Sequence, residues 1–262
     1  MSRTEQVINI ATPEHGYSPR NAIFAEEVRP LWKDCMLEMF GTAFFVYISL
    51  AGVHQAVLAA LSTGSSVDQI HIAICFALGL TSGIVVALKS GAHLNSSVSC
   101  TLWLAGQISF QKFICYTASQ LTGGFLGALL VIAVYYSRIN NFAESNALIG
   151  SFGTLKDPSN SLFSSILDQF LGSALLMFGI LKAPDGPFKP VVIGLVLGGL
   201  GLFQGSNGFA FNLARDLAPR IASTIIYGSD PFTVESHWFW VPMCVPFIGM
   251  PFGYAVAQWL LW

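Results

Sequence analysis

Long apolar stretches alternate with short polar connections along the chain. Five stretches, at positions 35–61, 70–88, 113–136, 162–181 and 237–262, contain at most one charged residue each. Each reaches the ~17–25 residues that a helix needs to cross a hydrocarbon core of ~30 Å. A sixth stretch, 190–214, is also free of charge, but its glycines, Ser206 and Asn207 should end a spanning helix near Gln204. The pattern therefore predicts six transmembrane helices.

The order of features in the first half of the chain recurs in the second half. Spans one and four each place a carboxylate, Glu38 or Asp168, a few residues before a glycine, a hydroxyl residue and an alanine. After the second span of each half, a break marked by glycine precedes Asn95 or Asn212. Three spans per half turn the second half upside down relative to the first. The two breaks should then lie at the interface of the halves, where repeated membrane proteins usually bind their substrate.

Two apolar segments, 95–106 and 212–223, are too short to cross a membrane, since ~12 residues of helix cover only about 18 Å. We expect them to be re-entrant half-helices. Irregular backbone at membrane depth is tolerated only where it packs in protein or lines a water-filled cavity. The breaks therefore predict a pore, lined by the backbone carbonyls of Gly91, Ala92, His93, Asn207, Gly208 and Phe209.

Composition excludes several classes of protein. The chain is 53% hydrophobic and 10% charged, whereas soluble domains contain roughly 25% charged residues. Its net charge of −2 gives no reason to expect a nucleic-acid partner. The five cysteines lie mostly in apolar runs and are expected to be small buried side chains without disulfides. No metal-ligand cluster, phosphate loop or pair of nucleophile and base stands out, so we expect no enzyme activity, metal or cofactor.

Lysines and arginines predict the orientation. The N-terminal segment and the short connections that should lie on the same side of the membrane carry most of them: Arg3, Arg20, Arg29, Lys33, Lys89, Lys112, Lys182 and Lys189. The positive-inside rule then puts both termini in the cytoplasm. We expect a disordered tail over 1–32 and a channel domain over 33–262, with repeats of about 33–137 and 162–262 joined by an extracellular loop.

Positions 90–97, Ser-Gly-Ala-His-Leu-Asn-Ser-Ser, and 208–216, Gly-Phe-Ala-Phe-Asn-Leu-Ala-Arg-Asp, resemble the two pore loops of the aquaporin superfamily. An aspartate directly after the arginine of the second loop, as in Arg215-Asp216, resembles the aquaglyceroporin branch in particular. The resemblance covers approximately 33–262. It implies an all-α fold of six transmembrane helices and two re-entrant half-helices in an inverted repeat. It also implies a homotetramer with one pore per subunit and no cofactor, in a multi-pass integral protein expected in the plasma membrane.

The pore motifs depart from the Asn-Pro-Ala of that family, because they are Asn95-Ser96-Ser97 and Asn212-Leu213-Ala214. Both asparagines are kept and both prolines are missing. An asparagine that caps a helix can accept a backbone N–H through its oxygen while its NH₂ still donates. Since proline suits the first helical position, we expect Ser96→Pro and Leu213→Pro to be tolerated and slightly stabilising.

By the same resemblance, Phe76, Gly201, Phe209 and Arg215 form the selectivity filter. An unpaired guanidinium in a membrane costs at least ~2.5–3.5 kcal/mol on insertion scales, so Arg215 should have a use there. Two aromatic faces opposite a guanidinium suit a solute with carbon on one edge and hydroxyls on the other, which describes glycerol.

Three carboxylates are candidates for loop support. Glu38 and Asp168 occupy matching positions in the repeat, and we expect each to accept N–H groups from a broken loop, with a proton relay as the alternative. Asp216 is expected to pair with local N–H groups or with Arg220. The His93 ring is expected to pack or hydrogen-bond laterally.

The favoured function is a passive channel for glycerol, other small neutral solutes and water that excludes ions and protons. Its partners would be these permeants and the lipid bilayer. Three alternatives remain open: a water-selective channel, a structural membrane protein with a closed pore, and a transporter coupled to protons through Glu38 or Asp168.

Overall fold

The structure, a computed structural model, describes residues 29–142, 145–203 and 207–260, which form eleven α-helices. The helices are α1 Leu31–Thr63, α2 Gln69–Ala87, α3 Ser96–Leu104, α4 Phe110–Asn140, α5 Asn146–Phe152, α6 Leu162–Lys182, α7 Lys189–Phe203, α8 Leu213–Tyr227, α9 Asp230–His237, α10 Trp240–Cys244 and α11 Pro246–Trp259. A 3₁₀ turn, Leu88–Ser90, follows α2. Most of the predicted tail, up to residue 28, lies outside the described residues.

The membrane spans follow the apolar stretches. Within the described residues, five helical segments are long and apolar enough to cross a membrane: Leu31–Thr63, Gln69–Ser90, Phe110–Asn140, Leu162–Lys182 and Trp240–Trp259. The sixth, α7, is a shorter apolar helix of 15 residues and covers about 22 Å at 1.5 Å per residue. The all-α membrane architecture is as predicted.

The last span begins at Trp240, three residues after the start of the apolar stretch at 237. The reason lies in the preceding backbone, because Glu235, Ser236 and His237 all have a positive φ, between 50° and 64°. Residues other than glycine disfavour this left-handed conformation, and the α-helix resumes only beyond these three residues.

The two halves are packed in the same way, and the half-helix of each half packs against a span of the other. Helix α1 packs against α4 in the first half, as α6 packs against α11 in the second. The half-helix α3 also packs against α11, and α8 against α4. Each half-helix therefore contacts the last span of the opposite half, and this places the two pore loops together between the halves.

Glycines allow the spans to approach closely. A Cβ at Gly127 of α4 would lie 2.7 Å from the carbonyl oxygen of Ala43 in α1. A Cβ at Gly249 of α11 would lie 2.5 Å from the carbonyl oxygen of Phe170 in α6. Because backbone meets glycine at both places, any larger residue would push the two helices apart.

The half-helices begin where the sequence predicts and end elsewhere. Helix α3 ends at Leu104, and α8 continues to Tyr227, four residues beyond the predicted end at 223. The residues before their capping asparagines, Leu94 and Phe211, both have a φ of 49° and are fully buried. A Cβ at Gly41 would touch the Leu94 side chain, and one at Gly172 would touch the Phe211 ring. Tight packing thus holds two strained residues in equivalent places.

The connection between the halves contains a helix that the sequence pattern did not predict. Helix α5 buries Leu148, Ile149 and Phe152. Its Ser151 Oγ lies 3.0 Å from Nε2 of the buried His54 in α1. The helix has only 7 residues, too few for an amphipathic period to stand out in the sequence.

Candidate functional site

Two asparagines join the half-helices at the centre of the protein. The Asn95 side-chain oxygen accepts the Ser97 N–H at 2.9 Å and caps α3, and the Asn212 oxygen accepts the Ala214 N–H at 2.9 Å and caps α8. The Nδ2 atom of Asn95 donates to the Phe211 carbonyl, and that of Asn212 donates to the Leu94 carbonyl, both at 2.8 Å.

These bonds have a twofold pattern, since each asparagine caps its own half-helix and binds the backbone of the other loop. An amide NH₂ has two hydrogens, and the link between the loops uses one of them. Each asparagine therefore keeps one N–H that this link does not use. The positive ends of the two helix dipoles meet at the same point and favour negative over positive charge there.

The four residues of the expected filter lie together. The Phe76 and Phe209 rings make an edge-to-face contact, with planes inclined by 68° and centroids 4.7 Å apart. The Arg215 guanidinium carbon lies 4.7 Å from the centroid of the Phe76 ring, in the range of a cation–π contact. A Cβ at Gly201 would lie only 2.6 Å from Cζ of Phe209. The Phe209 ring thus occupies the space that a side chain at position 201 would need.

Arg215 is buried, yet its guanidinium is only partly satisfied. Its Nε and Nη1 atoms have no hydrogen-bond partner among the described residues. Nη1 lies 3.6 Å from Oδ2 of Asp216, within ion-pair range and beyond an ordinary hydrogen bond. Both atoms are themselves buried, so they can bind a hydroxyl of a small polyol only when the guanidinium turns toward it.

Glu38 binds the first pore loop. Its Oε1 atom accepts from Ser90 Oγ at 2.6 Å and from the His93 N–H at 2.9 Å. Its Oε2 atom accepts from the Leu94 N–H and from Gln120 Nε2, both at 2.8 Å. The carboxylate is fully buried, and four donors replace the water that it loses.

Gln120 of α4 extends this network and was missed by the sequence analysis. Its Nε2 atom also lies 3.1 Å from Ser99 Oγ, and its Oε1 atom accepts from Ser96 Oγ at 3.1 Å. The only signal in the sequence is one amide in an apolar span. The His93 ring lies beside this network, with Nδ1 2.9 Å from Ser99 Oγ and an edge-on contact to Tyr116.

The loop carbonyls differ in their partners. Within the described residues, no hydrogen bond is made to the carbonyl oxygens of Gly91, Ala92 and His93. The expectation for Gly208 needs correction, because its oxygen accepts a 2.6 Å hydrogen bond from Gln169 Nε2. An amide on α6 reaches this carbonyl, and only its second lone pair remains for a solute.

Within the described residues, the Asn207 side chain binds the second loop to its surroundings. Asn207, expected to contribute only its backbone carbonyl, uses its amide oxygen to accept from the Asp157 N–H at 3.1 Å and from Ser165 Oγ at 2.9 Å. Its Nδ2 atom lies 3.3 Å from Oδ2 of Asp168. Asp168 thus contacts the loop through the Asn207 side chain, and it is less buried than Glu38.

Asp216 links the filter, through hydrogen bonds, to the chain segment that joins the two halves. Its Oδ1 atom accepts from Arg220 Nε at 2.6 Å, one of the two expected pairings. The N–H that it accepts belongs to Thr154, 62 positions away, and is therefore not local in the sequence. Thr154 carried no recognisable signal in the sequence.

Comparison with known proteins places this geometry in context. The profile of the family described as Major intrinsic protein matches residues 26–256. Aquaglyceroporin-2 of Rhizophagus irregularis is 32% identical over 88% of this chain and 78% of its own length. Glycerol uptake facilitator protein 3 of Lactiplantibacillus plantarum is 31% identical over 86% of this chain and 95% of its own. The X-ray structure of the aquaglyceroporin from Plasmodium falciparum superposes with a TM-score of 0.79 at 30% identity, covering 88% of this chain and 97% of that chain.

Proposed function

The chain belongs to the major intrinsic protein family, and we propose that it is a passive membrane channel for glycerol and other small neutral solutes together with water. Relatives named as aquaglyceroporins and as a glycerol uptake facilitator align with most of its length. Its fold and family are those of a channel, and no catalytic step is needed for this function.

The observation that carries the choice of glycerol is the slot formed by Phe76, Phe209 and Arg215. The two rings offer an apolar wall. Nε and Nη1 of the guanidinium are buried and have no described partners, and a turn of the side chain would present their N–H groups to a solute. Glycerol presents carbon along one edge and hydroxyls along the other, so it matches both surfaces at once. Gly201 favours this use, because it leaves room for the Phe209 ring.

Exclusion of ions and protons is part of the proposal. The Arg215 charge lies at the slot, and the positive ends of α3 and α8 meet at Asn95 and Asn212. Both features oppose a cation and leave a neutral solute unaffected. The residues that follow the asparagines, Ser96, Ser97, Leu213 and Ala214, complete the two motifs at this point.

Glu38, Asp168 and Asp216 serve, in this proposal, as supports of the pore loops. The strongest argument for this role comes from Glu38, because all four of its hydrogen bonds are made with the first loop or with Gln120. With every lone-pair direction used in this way, a proton relay through this carboxylate would break the loop's own hydrogen bonds.

Purified protein in liposomes tests the function. Shrinking and re-swelling in a glycerol gradient, followed by light scattering, should be much faster than in empty liposomes and independent of an imposed pH gradient. Water flux without glycerol flux would indicate a water-selective channel. No flux of either would indicate a closed structural protein, and flux driven by the pH gradient would indicate a coupled transporter.

Replacement of Arg215 by valine tests ion exclusion. We expect Arg215→Val liposomes to leak K⁺ or protons faster than the parent, because the charge at the slot is lost. Arg138→Val is the matched control, since Arg138 is exposed at the end of α4 and its removal should leave the leak unchanged. Equal leaks in Arg215→Val and the parent would place Arg215 outside the filter.

We further propose a homotetramer in the plasma membrane with both termini in the cytoplasm. Many apolar side chains of the spans are exposed, such as Ile70, Leu78 and Leu195, each more than half accessible, and they are available to lipid or to other subunits. Native mass spectrometry in mild detergent should give four chains per particle. An N-terminal epitope should be reached by antibody only after cells are permeabilised.

A further inference from the structure

A threonine outside both pore loops contacts the support of the filter. Thr154 follows α5 in the connection between the halves and is buried. Its N–H and its Oγ1 atom both donate to Oδ2 of Asp216 at 2.8 Å. Asp216 is fully buried beside the filter arginine. Thr154 thus reaches the filter through one carboxylate oxygen.

The two oxygens of Asp216 serve different partners. Oδ1 accepts the 2.6 Å hydrogen bond from Arg220. Oδ2 accepts both donors of Thr154, and Nη1 of Arg215 remains 3.6 Å away from it. A carboxylate oxygen has about two lone-pair sites, and Thr154 occupies both on Oδ2. Arg215 is consequently kept in ion-pair range without a short hydrogen bond.

Thr154 is itself fixed in place. Its carbonyl oxygen accepts from Nη2 of Arg220, so Arg220 binds both Asp216 and Thr154. A Cβ at Gly208 would lie 2.7 Å from the Thr154 methyl group, which shows how closely the threonine packs against the second pore loop. Just before it, Ser151 contacts His54 of α1.

We propose that Thr154 is a positioning residue for solute selectivity. Its hydroxyl competes with Arg215 for Oδ2 of Asp216 and so leaves the guanidinium free to turn toward the solute. Without this hydroxyl, Asp216 draws Arg215 into a short ion pair, and a polyol loses hydrogen-bond donors that water, which is smaller, needs less. This inference rests on the proposed glycerol channel and adds a residue that acts from outside the pore.

Hydroxyl deletions in liposomes test the competition. Thr154→Val removes Oγ1 and keeps the shape and the backbone N–H, while Thr154→Ser restores the hydroxyl. Ser151→Ala is the matched control, because it removes a buried hydroxyl from the same connection that bonds His54 instead of Asp216. Glycerol and water fluxes are measured for each variant, together with its thermal unfolding in detergent.

We expect Thr154→Val to lower the ratio of glycerol to water flux about five- to tenfold, the size of one ordinary hydrogen bond. Thr154→Ser should keep the parental ratio, and Ser151→Ala should keep it even if the protein unfolds at a lower temperature. Should Thr154→Val fail to fold, Thr154→Ala removes the same hydroxyl and has the same expected ratio. In an Asp216→Asn background, Thr154→Val should change the ratio no further, since the charge that would capture Arg215 is gone.

An unchanged ratio in the folded Thr154→Val or Thr154→Ala variant would overturn the inference, as would an equal fall in Thr154→Ser. These outcomes leave the glycerol channel itself intact. A parent protein with water flux and no glycerol flux would contradict the proposed function, and the inference would fall with it.

Discussion

Gly201 and Phe209 depend on each other at the filter. Ring atoms of Phe209 come within 2.6–2.9 Å of the place where a side chain at position 201 would begin, closer than any carbon atoms pack. The Phe209 ring fills the space beside Gly201, and the shape of the slot on this side thus depends on both residues. A larger residue at position 201 is compatible with the fold only if the ring moves or shrinks.

We therefore expect Gly201→Cys alone to displace Phe209 and to reduce glycerol flux more than water flux. Phe209→His combined with Gly201→Cys relieves part of the overlap but loses the aromatic wall, so glycerol flux should stay low while water flux recovers. Glycerol and water permeabilities of the two variants in liposomes check this order.

Gly199 offers a matched control on the same helix, because a Cβ there would meet nothing within 4 Å. Gly199→Cys should keep both fluxes of the parent. If it impairs glycerol flux as strongly as Gly201→Cys, the effect comes from cysteine in α7 and not from the Phe209 ring.

Glu38 is the most completely bonded side chain of the first pore loop. In Glu38→Gln, an NH₂ group would replace one oxygen and face donors from the loop or Gln120. Leaving two such donors without an acceptor costs on the order of 3 kcal/mol. We expect a lower unfolding temperature in detergent. Glycerol flux and water flux should both fall, and by the same factor. A variant of parental stability whose flux has lost only a dependence on pH gradient would instead favour the proton relay.

Among the helices, the two half-helices begin in the same way. Their capping residues Asn95 and Asn212 are extended, with φ of −152° and −159° and ψ of 119° and 116°, and a residue before proline prefers this region. No described hydrogen bond uses the backbone N–H of Ser96 or Leu213. The backbone therefore accepts proline at the first position of either half-helix.

The side chains make the two sites unequal, and this revises the expectation from the sequence. Leu213→Pro should stabilise the protein by about 0.4–1 kcal/mol. Ser96→Pro should give no gain, because loss of the Ser96 hydroxyl leaves the buried Gln120 oxygen without its donor, which costs about 1 kcal/mol. Thermal unfolding of both variants checks the difference, and Ser96→Ala measures the hydroxyl alone. Unfolding of Leu213→Pro would mean that α8 does not begin at this residue.

In the whole molecule, the inverted repeat explains how polar loops can lie inside a membrane protein. Helix α3 packs against α11 and α8 against α4, so each pore loop is enclosed by spans of both halves and lipid cannot reach its backbone. The two cross-links between asparagines and loop carbonyls then fix the halves to each other at the pore. Neither half could form the site without the other.

The sequence by itself determined the spans, the repeat and the places of the two asparagines, because a bilayer requires long apolar helices and these are local properties of the chain. The residues expected at the filter from family resemblance, Phe76, Gly201, Phe209 and Arg215, also lie together in the structure. Only the tertiary structure revealed that Gln120 binds Glu38 across 82 positions and that Thr154 binds Asp216 across 62. Such contacts depend on how helices and loops pack. Hydrophobic periodicity and short motifs describe neighbouring residues only, so they cannot predict a contact between residues so far apart in the sequence.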